Sequence, residues 1–125
     1  MKRILPLLLV VAVAAACGSK PVTIYSLAKT KACLAGKTVR LGAATDFVAS
    51  TATGGAVRAH VPGAPVTIVF GQTIDDANNI DDAYQRFHAA NVGINDVLFQ
   101  VQNVVMLWQV HPTDTQRALV EGCLR

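Results

Sequence analysis

Polarity divides this chain into two regimes. Residues Ile4 to Ala16 carry no charge, and the run stops at Cys17 before the polar pair Gly18-Ser19. Beyond that point apolar and polar positions interleave. They recur at spacings of three to four residues or of two, the marks of amphipathic helices and half-buried strands.

The interleaved part predicts a sequence of short elements. Ser26 is a natural N-cap and Gly36 a natural stop, so a helix is expected over about 26–35. Between Thr38 and Ala43, Val39 and Leu41 fall on one face and Arg40 on the other, which predicts a strand. Residues 44–55, ATDFVASTATGG, are small and hydroxyl-rich and predict a loop with a short turn around Phe47.

Residues 56–61 and 66–70 read as a hairpin. Val57, Ala59 and Val61 alternate with Arg58 and His60, and Pro62-Gly63 suits a type II turn. The second strand is β-branched and apolar, as a central strand should be.

From Thr73 to about Asn91 the spacing predicts the best helix. Thr73 caps it, with Asp76 three residues on in a weaker capping box. Ala77, Ile80, Tyr84 and Phe87 make the stripe toward the sheet, while Asp75, Asp76, Asn79, Asp82 and Arg86 fall largely on the other side. Residues 96–110 are ambiguous, because Val97, Val101, Val104, Val105 and Trp108 would also form a helical stripe. The valine content and the Gln102-Asn103 break favour two strands joined by a tight turn. Pro112 closes this unit, and Thr113 with Gln116 forms a capping box for a last helix ending near Leu124.

The expected order is helix, strand, hairpin, helix, hairpin, helix. Strands that come in hairpins argue for an α+β fold: a small antiparallel sheet of about five strands with three helices packed mainly on one face. The central strand-helix-strand portion has a ferredoxin-like character.

The N-terminal run is too short for a comfortable membrane span. Its 13 residues make a helix of about 20 Å, against a hydrocarbon core of about 30 Å. A basic start (Lys2, Arg3), a short apolar middle and a small-residue end form the pattern of an export signal. Ala14-Ala15-Ala16 satisfies the small-x-small rule for ordinary cleavage. The same residues directly before Cys17 resemble the lipobox of bacterial lipoproteins, although Ala14 stands where that family usually carries leucine. The resemblance covers residues 1–18 only. It implies that the Cys17 thiol receives a diacylglycerol, that cleavage falls before Cys17, and that the new amino group is acylated. The organisation expected is then a signal peptide over 1–16, a lipidated N-terminus and short tether over 17–22, and a domain over 23–125 close to the membrane of a bacterial cell envelope, on the extracytoplasmic side.

The cysteine count bears on this choice. There are three, Cys17, Cys33 and Cys123, and an odd thiol is a liability in an oxidising compartment. Cys33 and Cys123 each lie near the end of a predicted helix. If they pair, Cys17 is left over, and lipidation removes it. A soluble secreted protein with an unpaired or intermolecular Cys17 is the alternative. Loss of residues 1–16 also removes Lys2 and Arg3, leaving nine Lys and Arg against eight Asp and Glu. The overall net charge of +3 is thus partly a property of the signal, and charge gives no argument for nucleic acid.

Candidate chemistry is sparse. Asp75, Asp76, Asp81 and Asp82 are spread along a helix, where a solvated face explains them better than a metal loop does. His60, His88 and His111 share no metal-ligand spacing, and no C-x-x-C occurs, so no metal or cofactor is expected. Ser50, Thr51, Thr53, Gly54 and Gly55 form a polar, glycine-ended loop whose amides could make an anion-binding concavity. It is the first place to look for a small ligand. Met106, Leu107 and Trp108 suit a core or hairpin contact better than an exposed recognition surface. With an anchor, a rigid scaffold and no catalytic constellation, the expected function is non-catalytic: binding an unknown envelope protein or ligand. The alternative is an envelope enzyme using the 44–55 loop, with His60 or His111 as base.

Overall fold

The computed structural model describes residues 21–88 and 93–125. The expected signal, Cys17 and the tether up to Lys20 lie outside them, as do residues 89–92. The elements are α1 (Leu27–Gly36), β1 (Arg40–Gly42), α2 (Phe47–Ser50), β2 (Ala56–His60), β3 (Val66–Phe70), α3 (Ile74–Phe87), a 3-10 turn (Ile94–Asp96), β4 (Leu98–Val101), β5 (Val104–Trp108) and α4 (Asp114–Glu121). This is the α+β order read from the sequence, with two additions: Phe47–Ser50 of the expected 44–55 loop form a short helix capped by Asp46, and a 3-10 turn precedes β4.

Local chemistry sets most boundaries. Ser26, Asp46, Thr73 and Thr113 each cap a helix, their side-chain oxygens accepting from the amide three residues on. Thr113 and Gln116 complete a reciprocal capping box. The Asp76 carboxylate is shared more widely than a capping box requires, accepting from the Thr53 hydroxyl and the Gln72 N–H. The hairpin turn closes with the Ala64 N–H donating to the Val61 carbonyl, and Gly63 takes φ +78°, the left-handed value a type II turn requires.

The five strands form one antiparallel sheet in the order β1-β2-β3-β5-β4. β3 is central and all five of its residues are buried, which accounts for its unbroken apolar run. β5 pairs antiparallel with both β3 and β4, so β3 and β4 run the same way with β5 between them. The β3-α3-β4 crossover is thus the split β-α-β unit of ferredoxin-like folds.

Both faces of the sheet are covered. On one, Val66, Ile68 and Phe70 of β3 and Val104, Met106 and Trp108 of β5 pack with Leu34 of α1 and with Val120, Cys123 and Leu124 at the end of the chain. On the other, Val69 and Val105 pack with Val48 and Ala49 of α2, Ala77, Ile80 and Tyr84 of α3, and Leu98. Two of the three longer helices, α1 and α4, share a face, and α3 lies on the opposite one with the short α2. Burying a side chain of the Val, Leu, Ile or Phe class contributes about 1.5–3 kcal/mol, so both layers matter to stability. No helix among the described residues is long and apolar enough to cross a membrane.

Cys33 and Cys123 form a disulfide with Cα atoms 5.4 Å apart. It ties the last turn of α1 to the residues after α4. The entry to α1 and residue 125 meet beside it: the Ser26 N–H donates to the Arg125 carbonyl, and the Arg125 N–H donates to the buried Thr30 hydroxyl at 3.3 Å.

Two expectations for the third helix need correction. It ends at Phe87, and His88 is already extended, so it does not run to Asn91. Phe87 does not face the sheet either, being 73 % exposed. The buried stripe of the helix stops at Tyr84. The ion pair available to Asp82 and Arg86 does not form. Among the described residues the salt bridge is Arg117 to Glu121, at 2.9 Å.

Candidate functional site

The 44–55 loop is built largely from its own polar groups. Asp46 caps α2 through the Ala49 N–H at 2.8 Å. The Ser50 hydroxyl donates to the Phe47 carbonyl at 2.8 Å, and the Thr51 hydroxyl to the Val48 carbonyl at 3.1 Å. Thr53 donates to Asp76 at 2.9 Å and accepts from the Gln72 N–H at 3.2 Å. The Gly54 N–H donates to the Phe70 carbonyl and the Gly55 N–H to that of Ala52, while the Gly55 carbonyl accepts from the Phe70 N–H. These amides therefore do not form the anion-binding concavity expected of them. Gly54 is required by close approach, since a Cβ there would lie 2.6 Å from the Phe70 oxygen.

Asp76 ties this loop to the start of α3. The hydrogen bond from Thr53 is the largest influence on its carboxyl. Together with those from Gln72 and Thr73, it outweighs partial desolvation and holds the group below the usual carboxylate range.

The histidines proposed as a base do not join this loop's hydroxyls. His60 pairs across the strands with Arg40, and His111 places Nδ1 2.7 Å from the Asp96 carbonyl oxygen. A shallow cleft of about 250 Å³ beside Thr51, Thr53, Asp76 and Asn79 contains no histidine among its described residues. Nor do three His, Cys, Asp or Glu side chains converge as a metal site among the described residues.

A different cleft, of about 420 Å³, opens between the start of α2 and the end of α3. Among the described residues its walls are Phe47 and Val48 on one side and Tyr84, Phe87 and His88 on the other, with Ile94 and Leu107 also in the lining. Phe47 is 75 % exposed, as bare as Phe87 across from it. Asp46 sits at the rim, where the Tyr84 hydroxyl donates to its carboxylate at 2.9 and 3.0 Å. Burial first, and then the charge and hydrogen bonding of Asp46, push the Tyr84 phenol well above its ordinary value. The wall is therefore a neutral phenol locked to a carboxylate, with aromatic rings standing free beside it.

The cleft continues into a second hollow of about 500 Å³, sharing His88, Ile94 and Leu107 and adding Arg58, Thr67 and Gln109. Its floor follows from strand register. Arg58 of β2 lies opposite Thr67 of β3, Thr67 opposite Leu107 of β5, and Leu107 opposite Leu98 of β4. One row across the sheet thus passes from a guanidinium through a hydroxyl to two leucines.

Local pattern does not point to these residues: it makes Phe47 a turn residue, Phe87 a core residue and Arg58 an outward strand position. The one available signal is Asp46 followed by an apolar pair, which announces a capped helical turn but not what its first residue faces. No family model, curated protein or solved structure matches this chain.

Proposed function

We propose that this protein is a small cell-envelope lipoprotein, held to a membrane by acylated Cys17, whose domain binds a small ligand of apolar body in the cleft between α2 and α3. The observation that carries the binding reading is the pair Phe47 and Phe87. Both are about three-quarters exposed on either side of a mainly apolar cleft, in a domain whose other large aromatic residues pack inside or against the core. Exposed apolar side chains gathered at a concavity mark binding sites more often than isolated ones do.

The lipoprotein reading rests on residues 1–18 and on the pairing of Cys33 with Cys123, which leaves Cys17 as the odd thiol. Two or three acyl chains anchor stably where one holds only marginally. Tyr25 is bound at the β4–β5 turn, and the eight peptide steps from Cys17 to Tyr25 reach at most about 28 Å. The cleft lies at the other end of α3 from that turn.

Two measurements test the proposal. Mass spectrometry of the mature protein is expected to show a diacylglyceryl, N-acylated Cys17 as the first residue. An unmodified Cys17 supports the secreted alternative instead. N-phenyl-1-naphthylamine, a neutral fluorescent probe, is expected to bind saturably, with at least tenfold weaker binding in the Phe47→Ala/Phe87→Ala double variant. Both rings are exposed, so the variant keeps its fold. Unsaturable binding, or binding indifferent to the two substitutions, overturns the cleft as the site.

A further inference from the structure

The charge arrangement of the cleft specifies its ligand further than apolarity does. Arg58 projects on the α3 side of the sheet, since its neighbours Val57 and Ala59 pack into the opposite core. Among the described residues no carboxylate pairs with it. Its guanidinium donates to the Gln109 side-chain oxygen at 3.0 Å, which leaves most of its five N–H donors for another acceptor.

Thr67, directly opposite Arg58, is only 5 % exposed as a residue and lines the same hollow. Arg58 and Thr67 therefore present a fork and a hydroxyl at one end of the hollow, and both suit a carboxylate.

The other end differs in sign. Asp46 stands at the rim beside Phe47, its oxygens already held by Tyr84 and the Ala49 amide. An anionic head would be repelled there and drawn toward Arg58. Between the two ends lie Leu107, Ile94 and the exposed rings.

We propose that the ligand is a monocarboxylate with an apolar body, its head on Arg58 and Thr67 and its body along Leu107 and Ile94 toward Phe47 and Phe87. This rests on the cleft being the binding site, and it adds the chemical class and the direction of binding.

The test is displacement of N-phenyl-1-naphthylamine from the disulfide-bonded protein. Decanoate is expected to displace it at least tenfold more tightly than 1-decanol does. 4-Phenylbutyrate is the second acid, and its rank against decanoate tells an aromatic body from an acyl one. Arg58→Gln is expected to abolish the preference for the acid while leaving 1-decanol unchanged, and Arg58→Lys to retain part of it. Thr67→Val is expected to weaken decanoate alone. If both acids and the alcohol compete equally, or if Arg58→Gln keeps the preference, the carboxylate assignment is overturned and the apolar cleft survives. If the probe itself does not bind, the cleft fails first and this assignment with it.

Discussion

Asn103 grips the backbone of Tyr25 in both directions. Its side-chain oxygen accepts from the Tyr25 N–H at 2.7 Å, and its nitrogen donates to the Tyr25 carbonyl at 3.0 Å. The same nitrogen reaches the Gly71 carbonyl at 2.8 Å. A fully buried amide at the β4–β5 turn thus does the work of a ladder rung, joining the entry to α1, the exit from β3 and the tip of a hairpin. Its neighbour Gln102 takes the left-handed region, at φ 52°, to let it face inward.

Replacing Asn103 with alanine strips partners from the Tyr25 N–H and from two carbonyls. An unsatisfied buried group costs about 1–3 kcal/mol, and water reaches part of this site, so a loss of about 2–4 kcal/mol is expected in urea denaturation. Asn103→Asp should be at least as damaging, because a carboxylate would face the Tyr25 and Gly71 carbonyls. A change under about 0.5 kcal/mol would show the pin to be dispensable.

Reducing the disulfide should lower stability strongly. The cross-link joins residues 90 positions apart. The chain-entropy estimate for such a loop is about 4–5 kcal/mol, an upper figure and a large share of the stability of a domain this size. Melting with and without reductant, or of a Cys33→Ala/Cys123→Ala variant, measures it. A melting temperature indifferent to reductant contradicts the expectation.

Asp76 should contribute to the acid limb of the stability curve. Its folded-state pKa lies below its unfolded value of about 3.8, so its contribution is present above that pH and is lost as pH falls through the folded value. Asp76→Asn, or Thr53→Val, which removes the main cause of the shift, should flatten the fall in stability below about pH 4. Equal slopes in variant and parent would exclude the group.

Tyr84 carries the opposite sign. A phenol raised above its unfolded value of 10.0 contributes stability that is complete below that pH and is lost as pH rises through the folded value. Tyr84→Phe should cost about 1–3 kcal/mol at neutral pH, since Asp46 loses its phenolic donor, and should weaken the alkaline fall in stability above about pH 10. Chemical denaturation of both proteins from pH 7 to 11 decides it.

Caps and alternation carried most of the secondary structure. Ser26, Thr73 and Thr113 announce helices because a short oxygen bonds the third amide on, a contact encoded within four residues. Val57 and Ala59 against Arg58 announce a strand for an equally local reason. The long helix was over-extended because Phe87 keeps the apolar spacing while nothing packs on it. Spacing reports which residues share a face, and only neighbours decide whether that face is covered.

By itself, the chain's pattern of caps, turns and apolar periods determined the element order, the two hairpins and the central place of β3, since each depends on neighbours within a few residues. The tertiary structure alone decided which strands adjoin, and so which residues line up. Arg58 meets Thr67 and Thr67 meets Leu107 only through register between β2, β3 and β5, and Phe47 faces Phe87 only because α2 and α3 share a side of the sheet. Those contacts span long stretches of chain and are selected by the packing of two cores at once, which no local spacing records.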